Sequence, residues 1–135
     1  MFLITPDPIS PEPLVEAVSD PAAGAIAVFH GVVRDNNLGR SVRYLEYDAY
    51  PEMCGGVLQE IERELKARWP VIGFAVAHRT GRVEIGEPSL LVAVSTGHRA
   101  QAFEACHWAV DRIKESLPVW KKEVFEGGEV WIEGG

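Results

Sequence analysis

The sequence is poor in cysteine, in long apolar runs and, over its first quarter, in positive charge. Its two cysteines, Cys54 and Cys106, are far apart and in no metal-ligand spacing. A disulfide scaffold is therefore disfavoured and a reducing, cytoplasmic setting is expected. No apolar stretch approaches the ~20 residues of a membrane span; the strongest, residues 25–29 and 90–94, have strand length. The N-terminus shows no basic region leading into an apolar segment and a small-residue cleavage site, so export is not signalled. Residues 1–33 contain no Lys or Arg but carry Asp7, Glu12, Glu16 and Asp20, and the whole chain has 13 basic against 20 acidic residues, a net charge of −7. That sign argues against a broad nucleic-acid-binding face but leaves room for a local anion site. Also missing are a Gly-x-Ser-x-Gly elbow, a Walker loop, a dinucleotide fingerprint and any Cys or His pair at metal spacing. Serine-hydrolase, NTPase, Rossmann and zinc readings thus lack their parts, and neither a metal nor a cofactor is expected.

What is present is ordinary globular material: 135 residues, 47% hydrophobic and 24% charged, enough for one domain over residues 1–135 with a real core. Residues 5–21 hold Pro6, Pro8, Pro11, Pro13 and Pro21, which limits helix to a short piece near residues 14–18 and makes residues 1–23 a Pro-rich lead-in. Strands are expected at 24–33 and 41–47, separated by the turn-forming Asp35-Asn36-Asn37-Leu38-Gly39. Pro51 starts a helix to about residue 69, with Val57, Leu58, Ile61 and Leu65 at helical spacing and Glu62/Lys66 and Glu64/Arg68 as i,i+4 pairs on a solvated face. Strands at 71–78 and 89–95 flank a turn-rich connection, a second long helix covers 100–117 up to Pro118, and 119–125 and 129–132 form a hairpin about Gly127-Gly128. The class is α+β, with two main helices packed on a largely antiparallel sheet and a C-terminal hairpin.

Lys114 is the most informative polar position. On a helical wheel with Phe103 at zero, Cys106, Ile113, Leu117 and Val110 occupy an apolar arc from about 280° to 340°, with Lys114 near 20° and His107 near 40°. Both stand at the edge of the core-facing arc. Lys114 must snorkel to water, pair with an acid, or line a cleft; His107 reads as a core-edge histidine. Ser95-Thr96-Gly97-His98-Arg99 lies where an apolar strand enters that helix, a place where free N–H groups beside a guanidinium and an imidazole suit an anion. The plain alternative is that Thr96 or Ser95 caps the helix and Arg99 is solvated. Arg34 opens the Asp-Asn-Asn-Leu-Gly loop, and Lys121 and Lys122 follow Pro118 on a strand, where their side chains point to opposite faces. His78-Arg79, at another strand end, is a weaker candidate. Together these outline a cationic pocket.

In order along the chain, Phe29-His30-Gly31-Val32-Val33-Arg34, Asn36-Asn37-Leu38-Gly39, Tyr50-Pro51-Glu52-Met53, Arg68-Trp69-Pro70, His78-Arg79-Thr80-Gly81, residues 97–105 and Pro118-Val119-Trp120-Lys121-Lys122-Glu123 resemble the large, catalytic subunits of molybdopterin synthase. The resemblance implies an α/β hammerhead-type fold and a homodimer of large subunits within a heterotetramer. The partner it implies is a small ubiquitin-like sulfur-carrier subunit whose C-terminal Gly-Gly bears a thiocarboxylate. It further implies sulfur transfer to cyclic pyranopterin monophosphate, giving the dithiolene of molybdopterin in two steps of molybdenum cofactor biosynthesis. Carried over by position, Lys114 and Lys121 would be catalytic, and Val32, Val33, Arg34, His98, Arg99, Lys122 and Glu123 would contact the substrate. Val32 stands where a familiar bacterial member has lysine, and the chain stops at Gly134-Gly135, earlier than longer members. Two other readings compete. The Gly-Gly end suggests a carrier-like protein, against which Trp131-Ile132 argues by placing apolar residues so close to the end. A non-catalytic ligand-sensing dimer would use the basic pocket for an anionic metabolite but would leave two lysines in one cleft unexplained.

Overall fold

The computed structural model describes residues 1–132; the Gly134-Gly135 end lies outside them. The element order is β1 (Phe2–Thr5), α1 (Glu12–Val18), β2 (Ala25–Val32), β3 (Asn36–Asn37), β4 (Arg40–Ala49), α2 (Pro51–Arg68), β5 (Val71–Arg79), β6 (Gly81–Glu84), β7 (Pro88–Thr96), α3 (Arg99–Ser116), β8 (Val119–Phe125) and β9 (Gly128–Ile132). Two sheets form where one was expected. The first has the order β1-β5-β7-β2, and the second joins β3-β4-β8-β9, with β6 also paired to β4. Pairing is antiparallel throughout except between β1 and β5, which run parallel from Phe2↔Val76 to Thr5↔Arg79.

Period-2 alternation gives the first sheet two apolar faces. Phe74, Val76, Val92 and Val94 point to one side and meet Leu58, Ile61 and Leu65 of α2 and Ala102, Ala105, Ala109 and Ile113 of α3. Ala75, Ala77, Leu91 and Ala93 point to the other, under Leu14 and Val18 of α1. Small side chains are what this second face needs, because α1 sits close. A Cβ at Gly73 would lie 2.7 Å from Val18 Cα, so only glycine admits the helix at that height. The Pro-rich N-terminal stretch is therefore no mere lead-in: β1 extends the sheet and α1 covers it.

Other departures are local. The turn-rich 81–88 connection contains β6, and the 35–39 loop contains β3, both on the rim of the second sheet. The hairpin pairs Phe125 with Gly128, so the turn is Glu126-Gly127, with Gly127 at φ 101°, one residue earlier than the Gly-Gly pair suggested. On α2, Lys66 meets Glu62 at 3.5 Å as expected, whereas Glu64 turns to Arg112 of α3 at 3.1 Å and Arg68 stacks on Trp108. No helix among the described residues is long and apolar enough to cross a membrane.

Candidate active site

A cleft of about 410 Å³ opens along the seam between the two sheets. The end of β2 contributes Val32, the following segment Val33 and Arg34, and β3 adds Asn37. The other walls carry Tyr47 of β4, His78 at the end of β5, Ser89 at the start of β7, Lys114 in the last turn of α3, and Lys121 and Glu123 of β8. Of the residues selected from the sequence, Val32, Val33, Arg34, Lys114, Lys121 and Glu123 thus line the cleft, and Lys122, His98 and Arg99 do not. The strand period of two explains part of this: Val119, Lys121 and Glu123 face inward, while Lys122 points away. Lys122 meets Glu46 at 3.0 Å and Glu129 at 3.5 Å beside the Trp131 ring, which corrects its assignment as a cleft residue.

The wheel for α3 also needs correction. Phe103 is 67% exposed, and His107 is a surface residue whose Nε2 lies 3.4 Å from Asp111. The buried arc includes Ala102, Ala105 and Ala109. These alanines extend it well to the far side of Cys106 and Ile113, shift its centre away from Phe103 and let α3 approach the sheet closely. Lys114 consequently stands outside the arc, at the helix end that borders the cleft.

The chemical character of the cleft is divided. Arg34, Lys114 and Lys121 supply positive charge. Partial burial, then the Lys114 ammonium and the Arg34 guanidinium, lower the Lys121 pKa from its ordinary value, with Glu123 opposing. Glu123 is buried at 2% exposure, accepting hydrogen bonds from Arg40 Nε at 3.1 Å and Asn37 Nδ2 at 2.7 Å. Burial pushes its carboxyl up, but these donors and the charge of Arg40 outweigh it and leave the group below its usual range. It works as a tie between β8 and the Asn36-Asn37 strand, beside Lys121. Opposite lies a neutral surface. His78 is buried, and burial above all, with Lys114 and Lys121 adding to it, lowers its pKa to about 4. The ring packs edgewise on Tyr47, centroids 5.0 Å apart. Tyr47 donates to Ser89 Oγ at 3.1 Å, and Ser89 donates to the Gly31 carbonyl at 3.3 Å, while desolvation raises the phenol's pKa and keeps it protonated.

His98 and Arg99 are exposed at the start of α3, and Arg99 precedes Lys114 by about four helical turns, roughly 22 Å along the axis. Neither of the expected caps forms: Thr96 Oγ1 donates to the His98 carbonyl at 2.6 Å, and Ser95 Oγ donates to the Val18 carbonyl at 2.7 Å. Tyr47, Ser89, Asn37 and Arg40 escaped sequence reading. The alternation of β4 is the one signal that could have found Tyr47; Ser89, Asn37 and Arg40 are tied to the site through partners distant in sequence.

Fold and site together define an α+β domain with a cationic cleft between two sheets, suited to an anionic small molecule. The model of the MoaE protein family matches residues 4–116. A molybdopterin synthase catalytic subunit of Pyrococcus abyssi is 46% identical over 129 residues, spanning 96% of this chain and 87% of the relative. One from Halalkalibacterium halodurans is 44% identical over 131 residues, 97% and 84% of the two chains. The crystal structure of molybdopterin synthase from Staphylococcus aureus superposes with a TM-score of 0.92 at 39% identity, covering 97% of this chain and 96% of that one. The chain belongs to the MoaE family, whose relatives here are catalytic subunits of molybdopterin synthase.

Proposed function

We propose that this chain is the sulfur-transferring subunit of a molybdopterin synthase. It takes sulfur from the thiocarboxylated C-terminus of a small carrier subunit and passes it to cyclic pyranopterin monophosphate. The observation that carries the reading is the convergence of Lys114, Lys121 and Arg34 on one cleft in a chain of this family. Arg34 offers a planar, always-charged fork to the phosphate. Lys114 and Lys121 stabilise oxyanion charge as sulfur adds and oxygen leaves, and Lys121, its pKa lowered by burial and its cationic neighbours, can take part in proton transfer. Val32 and Val33 give an apolar entry for the carrier's extended tail. A sensing module would use the same cations for an anionic metabolite but would leave two lysines in one cleft unexplained.

His98 and Arg99 can serve the same phosphate as Lys114 only from a second copy of the chain, and the reading therefore includes a homodimer with shared sites. Lys114→Ala should abolish product formation from thiocarboxylated carrier and precursor while the fold is kept; near wild-type turnover would overturn the catalytic reading. Arg99→Ala should weaken precursor binding about ten- to a hundredfold. Mixing the two variants at a precursor concentration too low for Arg99→Ala to turn over should restore activity, since one site of the mixed dimer keeps both groups. No restoration would place Arg99 outside the site.

A further inference from the structure

The neutral side of the cleft has no part in the chemistry above, although it is the more elaborately built. His78 Nδ1 lies 2.8 Å from the Arg79 carbonyl. A carbonyl only accepts, so Nδ1 carries the proton and Nε2 is left as a bare acceptor. His78 lines the cleft, so this mostly buried ring borders the space a ligand would fill. Beside it, the Tyr47 hydroxyl has given its proton to Ser89 and Ser89 has given its own to Gly31. With both protons committed to the protein, these two hydroxyls have only acceptor capacity left for a ligand in the cleft they line. An acceptor surface repels phosphate oxygens and selects N–H donors.

We propose that His78 is a specificity-determining residue, whose Nε2 accepts a hydrogen bond from an N–H on the uncharged heterocyclic edge of the substrate while Arg34 holds its phosphate. This rests on the proposed function for the phosphate half only. The chemical class selected is a donor-bearing amino-pyrimidinone edge, such as a pterin ring presents. Tyr47, packed against the imidazole, and the Ser89 relay orient that surface.

The test uses two probes by calorimetric titration of the intact protein: 6-hydroxymethylpterin, which lacks phosphate, and inorganic phosphate. In His78→Asn the shorter amide keeps a donor for the Arg79 carbonyl but withdraws the acceptor; in His78→Gln an amide oxygen reaches about as far as Nε2. Asn should weaken the pterin about tenfold and leave phosphate within twofold, and Gln should recover most of the loss. A purely structural histidine would give the reverse order, with Asn harmless and Gln damaging in thermal melts. That order, equal losses for both probes, or no pterin binding by the wild type, each overturns the proposal. Failure of the sulfur-transfer reading would show separately, as absent turnover with carrier and precursor in a protein that still binds pterin through His78.

Discussion

The two sheets of this protein are built on opposite terms. The first is covered on both faces, with the central strand β7 almost wholly buried and β5 buried from Phe74 to His78, their residues divided between two apolar layers. The second carries the ions: Arg40, Lys121, Lys122, Glu46, Glu123 and Glu129 lie on its strands, and Trp120 and Trp131 are 45% and 59% exposed. Stability is concentrated in the first and charge in the second. The cleft follows the line where they meet, so the buried framework carries one wall and the charged sheet, through Lys121 and Glu123, the other. Lys114 and Lys121 can then line one cleft without burying charge inside the core, where the desolvation penalty would be severe.

If that division is right, the largest stability loss should come from the first sheet. Leu91, fully buried under α1, should lose about 2–5 kcal/mol on replacement by alanine, read by denaturant unfolding. A loss below about 1 kcal/mol would break the comparison. The next effect belongs to His78, which straddles the seam. The unfolded chain protonates this ring near the ordinary 6.5 and the folded chain resists until about 4, so the unfolded state binds more protons between those values. Stability should fall as pH drops through that window, by at most about 3 kcal/mol. His78→Asn should flatten that part of the profile; an unchanged slope would mean the ring is not held neutral by the fold.

Within the second sheet the contrast sharpens to neighbouring residues. Lys121→Ala should lower turnover about a hundredfold, in the range of a lost proton-transfer or oxyanion partner, with little change in melting temperature. Lys122→Ala should leave turnover within about threefold and stability within ~0.5 kcal/mol, as expected of an exposed ion pair. Comparable losses in the two variants would show that β8 faces the cleft differently.

Much of this was legible in the sequence because it rests on period. Alternation on residues 119–125 placed Lys121 and Lys122 on opposite faces, and the apolar run at 89–95 marked a strand. Pro51, Pro118 and the Gly127 turn marked element ends. What escaped was what depends on distant partners. β1 is recognisable only through its parallel pairing with β5, and β6 only through β4. Alanine carried too little weight to centre the α3 wheel, so Phe103 and His107 were misjudged. Arg34, Lys114 and Lys121, picked out by charge and position, and Glu123, named through the resemblance, all line the cleft, but the Tyr47–Ser89–Gly31 relay joins residues 42 and 58 positions apart. Nothing local announces it. The separation of His98-Arg99 from Lys114 follows from helix length alone and was available from counting.

The alternation on β8 makes the charge of the cleft a matter of parity. Adding a single residue after Val119 would turn Trp120 and Lys122 inward and send Lys121 and Glu123 to solvent, exchanging a reactive wall for a bulky one without altering composition. Adding two would return Lys121 and Glu123 to the inner face, one step further along. Odd and even insertions at the same point should therefore differ far more than their lengths do, and the strand behaves as a two-position selector whose setting is written in the count of residues since Pro118.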